Sequence, residues 1–156
     1  ASITFSSIPQ SYTDLLIRIS CRSGAAGYID AYLGLTVNND SSTAYSDTAL
    51  NFSTTLGSQR TSSTTPLFGY FYIPGANATA NGFGNAEIYI PNYTSTSTKP
   101  VLALDVLENS TTQGGISVEA GSIRTTSAIN TIIISEATSS SFVAGSRFDL
   151  YGITHF

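Results

Sequence analysis

The sequence predicts an all-β protein, an antiparallel two-sheet sandwich of jelly-roll-like type with about nine or ten strands. Two observations carry this. Apolar and polar residues alternate along segment after segment, as in Leu15, Ile17, Ile19 and Cys21 against Leu16, Arg18, Ser20 and Arg22, and that period of two is the mark of a half-buried strand. No window holds apolar residues at helical i, i+3, i+4 spacing between caps. The 156 residues suit a single domain covering 1–156.

In chain order, residues 3–8 form a short opening strand closed by Pro9. The alternating strand 13–22 follows, broken by Gly24 and Gly27. Ala31, Leu33, Leu35 and Val37 mark the next, ended by the turn signal Asn38-Asn39-Asp40. Residues 41–65 are read as one or two short strands and a long exposed loop at 57–65. The aromatic run PLFGYFYI, 66–73, is a strand stopped by Pro74-Gly75, and 77–85 is a Gly/Asn loop. AEIYI, 86–90, ends at Pro91. In 101–107 the acidic Asp105 is expected on the wetter face. A turn is expected at 109–115. Ile116, Val118 and Ala120 alternate through another strand. Residues 128–136, with Ile132, Ile133 and Ile134, and the terminal FVAGSRFDLYGI, 142–153, are expected to form a hairpin that completes one sheet. Phe148 and Leu150 lie on one face of its last strand and Tyr151 and Ile153 on the other, so that strand is expected in a central position.

Charged residues make up 10% of the chain against about 25% in an average protein. Ser, Thr and Asn take their place, and hydrophobicity is high enough for a folded core. A net charge of −4 with six scattered basic residues argues against nucleic acid and against an anionic membrane surface. No signal-peptide pattern, lipidation motif or run of eighteen apolar residues occurs in the sequence, so no membrane insertion is expected. The Ala-Ser start fits a removed initiator Met and fits a fragment equally. Five N-x-[ST] sequons, at Asn39, Asn51, Asn77, Asn92 and Asn109, are given no glycans.

No catalytic, cofactor-binding or metal-binding residue is expected. One Cys and one His are too few for a zinc site, and Cys21 reads as a small buried core residue. Asn38, Asn39, Asp40 or Asp47 would be the ligands of any calcium ion, but an Asx-rich turn needs none. Only His155 would serve a Ser-His-Asp triad, and it lies one residue from the chain end. Paired carboxylates for glycoside hydrolysis would come from Asp105, Glu119 and the other acids. A sugar cleft also needs stacking platforms, and without Trp that task falls to the tyrosines. Tyr70, Tyr72, Tyr89 and Tyr93 are the candidates, and such residues on a β-surface also make protein interfaces. Tyr70 and Tyr72 share a face, opposite Phe71, so they form an apolar patch that needs a cover, either further copies of the chain in a homotrimer or another closed ring, or a loop of the same chain at 50–65.

Several segments resemble one family. FVAGSRFDLYGI with the preceding AINTIIIS, the opening FSSIPQSYTDLLIRISCRS, and IPGANATANGFG at 73–84 are similar, in the same order, to segments of a β-sandwich surface module of tailed-bacteriophage virion proteins. The resemblance implies a structural protein of the particle surface, in head decoration, tail or fibre. Its partners would be capsid or tail proteins, and it would self-associate, as a homotrimer by analogy. Recognition of a host surface glycan is the alternative. No enzymatic activity is expected.

Overall fold

The computed structural model describes residues 1–52, 55–108 and 114–155, with the side chains at 69 and 70 excluded. It is all-β. Among the described residues eleven strands follow one another: β1 (Ser2–Phe5), β2 (Asp14–Cys21), β3 (Asp30–Val37), β4 (Tyr45–Phe52), β5 (Leu56–Thr64), β6 (Leu67–Pro74), β7 (Gly84–Ile90), β8 (Lys99–Glu108), β9 (Gly114–Ile123), β10 (Ile132–Glu136) and β11 (Arg147–Ile153). They form a narrow sheet in the order β1-β10-β3-β6 and a wide sheet in the order β11-β2-β7-β8-β9-β4-β5. Every pairing is antiparallel. The chain crosses repeatedly between sheets, the course of a jelly roll. The meander β7-β8-β9 stands where a minimal jelly roll has one strand, and β11 is added at the far edge.

The core lies between the sheets. Leu15, Ile17, Ile19 and Cys21 of β2 and Ile88 and Ile90 of β7 meet Leu33, Leu35 and Val37 of β3, Phe71 and Ile73 of β6, and Ile132 and Ile134 of β10. Cys21 is fully buried, as expected. Asn38 and Asn39 take left-handed backbone angles, φ 53° and 56°, which asparagine tolerates best after glycine. The expected Gly/Asn loop is organised from inside. The buried Arg22 guanidinium donates to the carbonyls of Thr79 (2.6 Å), Gly82 (3.0 Å), Ala76 (3.1 Å) and Ala78 (2.9 Å), so the loop wraps a cation whose donors replace a regular ladder.

Three expectations change. The terminal segments do not form a hairpin: β10 lies between β1 and β3, whereas β11 pairs with β2 in the other sheet. Between them Phe142 bridges to Ser23 and its ring packs on Phe148 at 4.8 Å, carrying the chain across the end of the sandwich. Nor is β11 central. It is an edge strand with Phe148 and Leu150 half-buried and Tyr151 exposed; alternation along one strand does not count its neighbours. Residues 57–65 are mostly strand: β5 pairs with β4 from Leu56 to Thr64. Its polar sequence reflects an edge that overhangs the core, with little to bury on either face. The expected turn at 109–115 lies largely outside the described residues.

Candidate functional site

On the wide sheet the alternation is inverted in its outer half. Strand β8 sends Val101, Ala103, Asp105 and Leu107 inward and Leu102, Leu104 and Val106 to solvent; β9 buries Ser117 and Glu119 and exposes Ile116 and Val118. Strand β4 buries Asp47 and Ala49 and exposes Leu50 and Phe52. Asp105 is therefore not on the wetter face, and Ile116 and Val118 are not core residues. Both faces of VLALDVL are largely apolar, so the pattern cannot choose between them. The small Ala49, Ala103 and Gly121 let β6 approach this part of the sheet; a side chain at Gly121 would press on Leu67 at 3.1 Å.

The burial of Asp105 has a structural reason. Strand β6 is the edge of the narrow sheet, so N–H groups on its open side need acceptors from elsewhere. Asp105 Oδ2 supplies one, accepting from Tyr72 N at 3.2 Å. Burial pushes the Asp105 carboxyl up to about 7, against the opposing effect of hydrogen bonds from Ser117 and the Tyr72 amide. Lys99, also fully buried, donates to the carbonyls of Ser97 (3.0 Å) and Thr125 (3.2 Å), and burial lowers its pKa.

Outside this layer the apolar side chains fall into rows set by strand register. Val106, Ile116, Phe52 and Leu56 make one row; Leu104, Val118 and Leu50 the next; Leu102 continues the surface beside Ala120. These side chains are 39–68% exposed. The other half of the same face, on β7, β2 and β11, is mixed: Arg18 pairs with Glu87 at 2.6 Å and Arg147 with Asp149 at 2.7 Å, while Tyr89, Leu16 and Tyr151 carry the Leu102 row across it. At the end of the apolar rows a cavity of about 250 Å³ opens between the sheets, lined by Asp30, Asn51, Phe52, Tyr72 and Leu107. Within it Asn51 Nδ2 donates to the Tyr72 hydroxyl at 3.2 Å.

The tyrosines singled out from the sequence are dispersed. Tyr93 is fully buried and its hydroxyl donates to the Pro9 carbonyl, so it is a core residue and not part of a surface. Tyr89 is half-buried, donating to Asp14 Oδ2 at 2.5 Å. Tyr72 is half-buried, its ring 5.2 Å from that of Tyr32, so its own chain covers much of it. The Tyr70 side chain lies outside the described residues. The eight exposed aliphatic and aromatic residues of β4, β5, β8 and β9 were not among the expected candidates. The signal was present in the two-sided apolar character of residues 101–107, but it also fits a strand buried on both faces.

The remaining polar clusters are fasteners. Asp14 accepts from Tyr89, from Asn92 N (2.8 Å) and from His155 Nε2 (2.5 Å), which ties the end of the chain to the start of β2. Burial acts to raise the Asp14 pKa, but these bonds outweigh it and the carboxyl lies below its usual range. The side chain of Asn38 is spent on residues 128–131, accepting from Asn130 N (2.9 Å) and Thr131 N (3.2 Å) and donating to Ala128 O (2.9 Å), while Asp40 accepts from Ser42 N (2.9 Å). The Asx turn is thus satisfied by the protein itself. No group of three or more His, Cys, Asp or Glu side chains is arranged to hold a metal ion among the described residues. Burial, with a smaller contribution from Glu136, pushes the Cys21 thiol up to about 12.

Fold and surface together define a class: a jelly-roll-like β-sandwich with an exposed apolar sheet face beside a small cavity. No protein-family model matches the chain, and neither the curated proteins nor the solved structures yield a match.

Proposed function

We propose that this protein is a structural surface component of a tailed-phage virion, in capsid decoration or associated with the tail or fibre, acting by protein–protein assembly. The observation that carries the assembly reading is the exposed apolar face of β4, β5, β8 and β9. Patches of this kind mark interaction sites when they exceed the few hundred Å² common on monomers. The virion setting rests on the resemblance of the opening, central and terminal segments. A low-charge, Ser/Thr-coated sandwich suits a module displayed in many copies. Closed self-assembly, as a homotrimer or another ring, belongs to this reading. The Tyr70/Tyr72 face supports it less than expected, because Tyr72 is partly covered by its own chain; the homotrimer rests on the resemblance, while the apolar sheet face supports self-association as such.

The test is reconstitution. Purified protein is mixed with purified phage heads or tails and sedimented. Saturable co-sedimentation with one of them is expected; failure to bind either removes the virion assignment. A second reading, recognition of a host surface glycan, is favoured by the cavity, where Tyr72, Asn51 and Asp30 converge as an aromatic wall with polar groups. Saturable binding to a glycan array, lost in Tyr72→Ala, together with no binding to particles, would move the function there.

A further inference from the structure

We propose that the apolar face of the wide sheet is the interface of a homodimer, covered by the same face of a second copy about a twofold axis that runs along the strands. The inference rests on the assembly reading and names the partner.

Area is the first argument. The exposed side chains in the two main rows and Leu102 offer on the order of 700 Å² of open surface, close to the roughly 800 Å² that each partner of a standard interface contributes. The patch is a single continuous area on one face. A twofold contact uses one patch against itself, whereas a ring of three needs two different complementary patches.

Charge is the second argument. Within the rows there is no charged side chain. Along β7 the rows meet Asn85, Glu87 and Tyr89, which register sets beside Val106, Leu104 and Leu102, with Glu87 backed by its partner Arg18; on β5 they end at Ser58 and Arg60, beside Leu50 and Thr48. A twofold axis along the strands inverts left and right, so the β7 margin of one copy lies over the β5 margin of the other, and Glu87 approaches Arg60. An axis across the strands at the level of Leu104 and Val118 would stack Glu87 on Glu87 and set Arg60 over Leu56. Opposite charges at the two margins therefore select the first arrangement. Strand β9 lies midway between β7 and β5 and so runs along the axis. Two antiparallel sheets meeting in this way make the aligned packing of a β-sandwich, with interdigitating side chains about 10 Å deep. A bilayer surface is a poorer match, because among the described residues the acids Glu87 and Glu108 balance Arg18 and Arg60 around the patch, which is not a basic rim.

Sedimentation equilibrium of the purified chain across a concentration series tests this. The expected species has twice the 16.4 kDa chain mass. Leu104→Glu points to solvent in the single chain, so its circular dichroism is expected to match the parent at low concentration, while the dimer dissociation constant rises about a hundredfold or more. Val118→Cys, on the axis, is expected to cross-link with itself under oxidation. Glu87→Cys mixed with Ser58→Cys is expected to give the mixed disulfide in preference to either homotypic one. A monomer or a trimer, a dimer indifferent to Leu104→Glu, or homotypic links at Glu87 and Ser58 would overturn the proposal. A monomer that binds heads or tails through this face would keep the virion reading and discard the dimer; a dimer that binds neither would do the reverse.

Discussion

Asp105 is the residue whose chemistry differs most from what its sequence position suggests. Its carboxyl titrates near 7 in the folded chain and near 3.8 when exposed, so between those values the folded state holds the proton more tightly. Stability is then full below about pH 4 and falls as pH rises through 7. The protein is expected to melt at higher temperature at about pH 5 than at about pH 8. Asp105→Asn, which retains an acceptor for the Tyr72 amide, is expected to flatten that difference and to raise stability at the higher pH by a few kcal/mol. Thermal melts of both proteins at the two values check it; an unchanged slope in the variant would place the titrating group elsewhere. Cys21 gives a second prediction. Buried, with its thiol pushed to about 12, it is expected to resist a thiol reagent in the native state and to react fully once unfolded. Cys21→Ser should cost roughly 1–3 kcal/mol, the penalty of a hydroxyl in an apolar site, and leave assembly intact. Loss of assembly with the fold retained would instead reveal a functional thiol.

At the scale of elements, the close approach of strands and connections is set by residues without side chains. A methyl group at Gly34, on β3, would overlap the Pro66 ring. Gly34→Ala is expected to destabilise by about 1–3 kcal/mol, read as a shift in urea midpoint with unchanged slope; a neutral result would mean that the 64–67 connection gives way easily. The inversion on β8 and β9 belongs to this scale as well. The inward row must be narrow and able to accept hydrogen bonds where the edge of β6 crosses it, so Asp105 and Ala103 face in and Leu102 and Leu104 face out. A strand reading that assigns apolar residues to the core reverses this part of the sheet, although it places β2, β3 and β7 correctly.

Across the whole molecule, the sheets share one contiguous core, and unfolding is expected as a single cooperative transition. Superimposable near- and far-ultraviolet circular dichroism melts would bear this out; two separated transitions would show that the β4-β5 flank unfolds by itself. Local patterning determined the fold class, most strand positions, the Asn38-Asn39 turn and the burial of Cys21, because period-two alternation and turn chemistry are encoded within about ten residues. Sheet membership was not local. The runs at 128–136 and 142–153 look like a hairpin, yet they lie in different sheets, since pairing depends on which distant strand has an open edge. The candidate surface was decided by tertiary structure for the same reason. Leu104 and Asp105 are neighbours with opposite fates, and which one meets solvent depends on β6 passing over β8, where the Tyr72 amide donates to a carboxylate and would find no acceptor on a leucine.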